Sequence, residues 1–402
     1  WCKALAVLLM ALMIAVILLD SLLWSQSRFH INILTLKILG SSSLIFTAVM
    51  FFIALVFETL LAGRIGSWVV SAPAHGGRVL GTLIAVCFVV AQSIYAWADA
   101  SYFVPVTSMA QQLPVQRGFT ANKLLVRYGL VDISQSRERQ LANRMAGGLD
   151  QAGAANLNYP LAPLQCSPSA PFNLVIILVD AMRNDLLGQG FTPNLDQFTA
   201  QKASRFKNHF SGGNSSRMGA FSLFYGLPPG YFGSFEALQK PPVLMDQLMA
   251  SDYQFGLFSS SNMYRPVTLD RTTFANVPNL RIETKPVDAM AWERDRILTD
   301  EWMTWLDQRD SDKPFFGFLF YDAVNDQTFP PEYAGRVSSD PEDPLPDEFK
   351  DYKTSVMFVD ELIGQVLDDL ENRGLSDNTV VMISSDHGEE FNENGDGLHG
   401  HG

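Results

Sequence analysis

The run FNLVIILVD (172–180) is continuously apolar, rich in β-branched residues, and ends in an acid. That pattern predicts a central strand buried on both faces. Working outward, similar runs recur at Tyr253–Ser259 (YQFGLFS), Pro314–Tyr321 (PFFGFLFY) and Thr379–Ser384 (TVVMIS), with helical patterns between them around 193–202, 241–250, 298–309 and 350–371. Strands alternating with helices predict, for residues 171–402, an α/β domain with a mostly parallel sheet covered by helices on both faces. In such sheets chemistry collects at the carboxyl ends of strands. Asp180 and the segment after Ser384 therefore stand out before any motif is considered.

The segment after the last run reads ISSDHGEEF (383–391), placing Asp386 and His387 just past a buried strand, with Gly388 free to turn. A carboxylate and an imidazole on adjacent residues suit a divalent transition metal, Zn²⁺ or Mn²⁺; the alternative is a plain surface turn. Three of the six histidines, His387, His399 and His401, fall within the last sixteen residues. Asp180 offers a third ligand, or else caps neighbouring backbone. The stretch SGGNSSRMGAFSLFYG (211–226) bends at glycines and opens a helix on two hydroxyls. Ser215 or Ser216 would sit where unpaired N–H groups favour anions, and a metal would lower its pKa for phosphoryl transfer. The alternative for either is an ordinary N-cap.

Residues 1–170 carry 11 Lys and Arg against 6 Asp and Glu, whereas residues 171–402 carry 18 against 36. An acidic domain repels phosphate backbones, so no nucleic-acid partner is expected. The basic front is very apolar. Residues 4–24, 41–62 and 79–98 each approach the roughly 20 apolar residues that cross a bilayer. Arg64 and Arg78 in the loop 63–78, with Lys3 ahead of the first segment, orient that loop inward. Everything after residue 98 then lies on the far side, the periplasm in a bacterium. Residues 99–170 read as a connector, broken by Pro160, Pro163 and Pro168, with short helical patterns near 120–128 and 134–146. Its cations Lys123, Arg127, Arg137, Arg139 and Arg144 could meet anionic head groups, or form an ordinary solvated face. Cys2 and Cys87 lie in or beside the apolar segments, leaving Cys166 alone, so the exported part has no internal disulfide. The start at Trp1 and the stop at Gly402 predict a fragment, truncated at both ends.

Taken in order, the strand ending in Asp180, TPNLDQF (192–198), the Gly/Ser turn, SSDHGEEF and the closing GHG resemble the alkaline phosphatase and sulfatase superfamily over residues 172–402. The nearest pattern is its single-metal branch of phosphoethanolamine and phosphoglycerol transferases. That resemblance implies a metal held by Asp180, Asp386, His387 and the Ser215 hydroxyl. It implies Ser215 as nucleophile, with Ser216 the second choice, and His401 or His399 binding the transferred group. Asn214 and Asn325 would contact substrate. ADASYFVPVT (98–107), YPLAPL (159–164) and GNSS…FSLFYGLPP further resemble the YejM-type inner-membrane proteins over essentially the whole chain. This implies two more spans upstream, membrane lipids (anionic phospholipid or lipid A head groups) as partners, a possible inner-membrane protein partner, and a link to lipopolysaccharide balance. Two departures matter. CSPSA (166–170) mimics the sulfatase C-x-P-S-R motif but ends in Ala170 and precedes the first strand. In YDAVNDQTFPPEY (321–333), Asn325 stands where active relatives place a His, and an amide cannot donate a proton at neutral pH. A non-catalytic lipid sensor signalling through its spans is therefore the alternative function.

Overall fold

The computed structural model describes residues 2–27, 31, 41–69, 76–110, 113, 118–145, 157–164, 172–264, 266–338, 348–392 and 399–400. The chain forms two compact units, Trp1–Leu157 with Gly233–Leu238, and Asn158–Phe232 with Gln239–Gly402.

In the first unit the helices Cys2–Ser27 and Ser41–Val69 pack on each other. Ala11, Ala15 and Leu19, one stripe at four-residue spacing, are buried, as is Ala54. Small side chains on such a stripe let helix backbones approach closely. The outer surfaces are the reverse: Leu9, Met13, Phe52, Ile53, Phe57 and Leu60 are exposed. On the third helix, Gly76–Ala100, every residue from Arg78 to Ala91 is exposed. Among the described residues, Arg78–Ala100 is long and apolar enough to cross a membrane, and Val7–Leu23 and Ile45–Leu60 are shorter apolar stretches. An apolar surface of this extent is unfavourable in water. The connector helices form at Asn122–Arg127 and Ile133–Met145. Of the cations they carry, Arg137 does not reach the surface. Arg137 is 2% exposed and paired with Glu138 at 2.7 Å, whereas Lys123, Arg127 and Arg139 are exposed.

The second unit contains four parallel strands, β1 (Asn173–Val179), β2 (Gln254–Ser259), β3 (Phe315–Tyr321) and β4 (Thr379–Ser385), in the order β2-β3-β1-β4. These are the four runs read from the sequence. β1 and β3 sit in the centre, which is why FNLVIILV and FFGFLFY carry no alternation. One face packs on the helices Ala291–Gln308 and Glu348–Asn372 through Val175, Ile177, Val179, Trp302, Val359 and Leu362. On the other face Phe318 meets Phe224 and Phe274 edge to face. Gly256 and Gly317 lie opposite each other in register. A Cβ at Gly317 would stand 2.5 Å from Trp302 and one at Gly256 2.7 Å from Trp305, so the paired glycines make room for the stacked indoles.

At the foot of the sheet Asn173 ties three strands. Its Nδ2 donates to Thr379 Oγ1 at 3.2 Å and its Oδ1 accepts from Phe315 N at 3.2 Å. The TPNLDQF segment has a structural reason as well. Pro193 opens a helix, Pro193–Gln201, whose free N–H groups on Asn194 and Leu195 donate to the Asp360 carboxylate at 2.9 Å. A short antiparallel pair, β5 (Glu390–Phe391) with β6 (His399–Gly400), follows the sheet. Cys166, Ala170 and the rest of CSPSA lie outside the described residues.

Candidate metal centre

Strand register builds the site. β1 and β4 are neighbours, with Val179 opposite Ser385, so the next residues, Asp180 and Asp386, leave the sheet at the same height. Both are buried, as is His387. One ligand atom from each of the three lies within 4.8 Å of the others. His387 Nε2 is 3.2 Å from Asp180 Oδ1 and 3.7 Å from Asp386 Oδ2.

Hydrogen bonds to the other atoms of these groups turn the three atoms toward one another. Asp386 Oδ1 accepts from Ala181 N at 3.2 Å and His387 N at 2.9 Å. Asp180 Oδ2 accepts from the Ser216 hydroxyl at 3.1 Å. Apart from the His387 imidazole beside them, Asp180 Oδ1 and Asp386 Oδ2 are buried with no hydrogen-bond partner among the described residues. Buried oxygens of this kind are costly unless something of opposite charge meets them. His387 Nδ1 lies 2.8 Å from the Gly388 carbonyl, which only accepts. The ring proton therefore sits on Nδ1 in the neutral imidazole, and the Nε2 lone pair faces the acids, the arrangement that orients a metal-binding histidine. The donor set, two carboxylate oxygens and an imidazole nitrogen, fits one divalent metal ion.

The hydroxyl that joins this centre belongs to Ser216, the second choice from sequence. Its Oγ is 3.1 Å from Asp180 Oδ2 and 3.5 Å from His387 Nε2. Ser215 is the extended residue just before the helix Ser216–Tyr225 and makes no side-chain cap bond. Helix geometry separates the two: successive residues at its start point in different directions. Asn214 is exposed in the preceding turn, and Asn325 is half-buried in the loop after β3. His399 is placed only by its backbone, in β6 opposite Phe391. His401 lies outside the described residues.

Several supporting residues escaped the sequence reading. Ala181 adopts a left-handed conformation, φ 60°, which an alanine holds only when its surroundings enforce it. They do: Tyr352 donates to Ala181 O at 2.8 Å and accepts from Arg183 N at 2.9 Å. Ser385 Oγ accepts from Met182 N at 2.9 Å and lies 2.7 Å from Val179 O, tying β4 to the same turn. Ser211 hydrogen-bonds the Asp386 carbonyl. A Cβ at Gly219 would fall 1.9 Å from that same carbonyl oxygen. Gly219→Ala should therefore cost about 1–3 kcal/mol through overpacking, against the ~1 kcal/mol that alanine normally gains in a helix. A melting temperature that rose in this variant would show that the helix does not press on Asp386.

Charge in the metal-free centre is finely set. Burial, then the Asp386 charge, raises Asp180 to about 8, against the opposing bond from His387. Burial also raises Asp386, despite the His387 charge. Burial alone would lower His387, but its bond to Asp180 and the Asp386 charge outweigh that and raise it to about 9. Each group thus holds its proton more tightly folded than unfolded, where the ordinary values are 3.8 and 6.5. By linkage, the metal-free protein should lose stability as pH rises from about 4 to about 9. A bound divalent ion displaces those protons, so affinity should climb over the same range. Calorimetric titration with zinc in buffers of different ionisation heat should show protons released. A pH-independent affinity would remove the centre.

The family model for sulfatase matches residues 172–402, and one for a domain of unknown function, DUF3413, matches residues 1–166. The inner membrane protein YejM of Salmonella typhimurium is 28% identical over 321 residues, covering 78% of this chain and 49% of that protein. An uncharacterized protein of Haemophilus influenzae is 29% identical over 315 residues, 78% of this chain and 47% of the other. The chain spans about half the length of these curated relatives. Among solved structures, the C-terminal periplasmic domain of EptC from Escherichia coli is similar at 14% identity and a TM-score of 0.47, over 58% of this chain and 68% of that one. The resemblance read from ordered motifs is thus matched by a family model spanning more than half of the sequence, and the chain belongs to the sulfatase family.

Proposed function

We propose that this chain belongs to a membrane-anchored phosphoester hydrolase or transferase with a single divalent metal, zinc or manganese. The observation that carries this reading is the convergence of Asp180 Oδ1, Asp386 Oδ2 and His387 Nε2 beside the Ser216 hydroxyl. An ion held there supplies positive charge that lowers the pKa of the adjacent hydroxyl and offsets charge on a phosphate. The chain's own groups do the rest. Ser216 Oγ attacks phosphorus while its proton passes to Asp180 Oδ2, and the bond to the leaving-group oxygen breaks. The leaving-group oxygen takes a proton from solvent; water or an acceptor hydroxyl then attacks phosphorus and gives its proton to solvent, and Ser216 Oγ departs and recovers the proton held on Asp180 Oδ2. Ser216 opens a helix, where backbone dipoles favour the phosphate's negative charge.

The exposed apolar helices and the relatives named inner membrane protein support a bacterial inner-membrane location, with several crossings and the sulfatase-type domain in the periplasm. The substrates that fit are phosphate esters of anionic phospholipid or lipid A head groups, in a role tied to lipopolysaccharide and outer-membrane lipid balance. Purified full chain should carry bound divalent metal by elemental analysis and hydrolyse a nitrophenyl phosphate ester. Chelator should abolish turnover and added metal restore it. Metal-free protein that turns over equally well would reject the reading.

One observation favours a second reading, a lipid-binding regulator without turnover. Among the described side chains His387 is the one imidazole at the centre, and the loop after β3 offers Asn325, which cannot protonate a leaving group. In cells, a Ser216→Ala variant would then keep lipid balance intact. Loss of balance in that variant decides for the enzyme.

A further inference from the structure

The segment ahead of the serine helix has an unusual surface. Residues 197–235 contain four Lys and Arg and no Asp or Glu, within a domain whose acids otherwise far outnumber its bases. Every residue from Gln201 to Gly212 is exposed, and the run KASRFKNHF (202–210) forms neither helix nor strand past Lys202. Two phenyl rings in it stand in solvent, Phe206 at 80% and Phe210 at 84% exposure. Around them are Lys207 and His209, and Arg205, whose guanidinium is held 3.1 Å from Asn184 Oδ1. Lys202 is anchored to Glu371 at 2.7 Å. The base of the loop is therefore fixed while its aromatic tips and Lys207 project.

Two exposed rings on one loop are unfavourable in water. Aromatic side chains at the depth of lipid head groups, with cations beside them, are the combination that binds an anionic bilayer surface. The loop also leads directly into the centre, since Ser211 hydrogen-bonds the Asp386 carbonyl and Ser216 follows. We infer that the loop 202–210 seats on an anionic lipid surface, Phe206 and Phe210 entering the interface and Lys207 and Arg205 meeting head-group phosphates, and so presents lipid phosphoesters to Ser216. The inference deepens the proposed function and rests on its membrane setting, while the readout below needs no turnover.

The test uses the full chain in nanodiscs of phosphatidylcholine, with or without added phosphatidylglycerol. In a background of Cys2→Ser, Cys87→Ala and Cys166→Ser, an environment-sensitive fluorophore is attached through Phe206→Cys, Phe210→Cys or, as a control, the exposed Asp377→Cys. With phosphatidylglycerol present, the probes at 206 and 210 should shift to the blue, and bromine-labelled acyl chains should quench them about twofold. The probe at 377 should not respond, and high salt should weaken the effect. Probes at 206 and 210 that stay as water-exposed as the one at 377 would overturn the inference and assign the loop to a protein partner. A Phe206→Ser, Phe210→Ser double variant should retain turnover of the soluble nitrophenyl ester but lose about tenfold on bilayer phospholipid. Equal turnover on both would also overturn it, whereas absence of turnover in the parent protein counts against the catalytic reading alone.

Discussion

Ser216→Ala should reduce turnover of a phosphate ester by roughly 1000-fold or more, because it removes the atom that would bond to phosphorus. The adjacent Ser215→Ala should leave turnover within about threefold. Ser215 makes no side-chain cap bond, so its loss should also fall short of the ~1 kcal/mol usual for a capping serine. The pair is diagnostic because the two residues are chemically identical and differ only in direction: Ser216 reaches Asp180 and His387. Metal content should be nearly unchanged in both variants, since the three ligand atoms lie on other elements. Steady-state kinetics with metal analysis of the same preparations gives the answer. The opposite ranking would move the nucleophile to Ser215 and require the helix start to rotate.

Asp386→Asn should lower metal affinity by about 100-fold or more while leaving the metal-free protein at least as stable as its parent. The amide oxygen can keep the bonds that Asp386 Oδ1 accepts from Ala181 and His387. The amide nitrogen replaces the carboxylate oxygen that faces Asp180 and relieves repulsion between two buried acids. Stabilisation by added zinc should therefore vanish while the metal-free melting temperature stays level or rises. The decline in stability between pH 4 and pH 9 should also flatten, since Asp180 loses the charge that helps raise its pKa. A variant that still gains several degrees on zinc addition would mean that the ion binds elsewhere.

What could be read in advance follows from the range of the interactions. Asp180 and Asp386 were legible because one ends and the other closely follows an apolar, β-branched run, a purely local pattern, and parallel strands deliver such ends to one edge. The Asp-His adjacency was legible for the same reason. The choice between Ser215 and Ser216 was not, because it depends on which residue is the first helical one, a matter of one residue in phase. Tyr352, Ser385 and Gly219 act on the centre through contacts that bridge about 170 to 200 positions, and no local signal marks them. Arg137 misled in the other direction. A charge on a helix reads as solvated, yet the fold buries it against Glu138.

The bond from Asn173 to Thr379 has a consequence at the opposite end of the ladder. Sliding β4 along β1 by one position would carry Asp386 about 3.3 Å away and turn its side chain to the other face. Whatever fixes the phase of the two strands at their amino ends thus also sets the spacing of the acids at their carboxyl ends. Alignment of the reactive groups is in this sense a property of the whole ladder, open to disturbance by a polar substitution seven positions away.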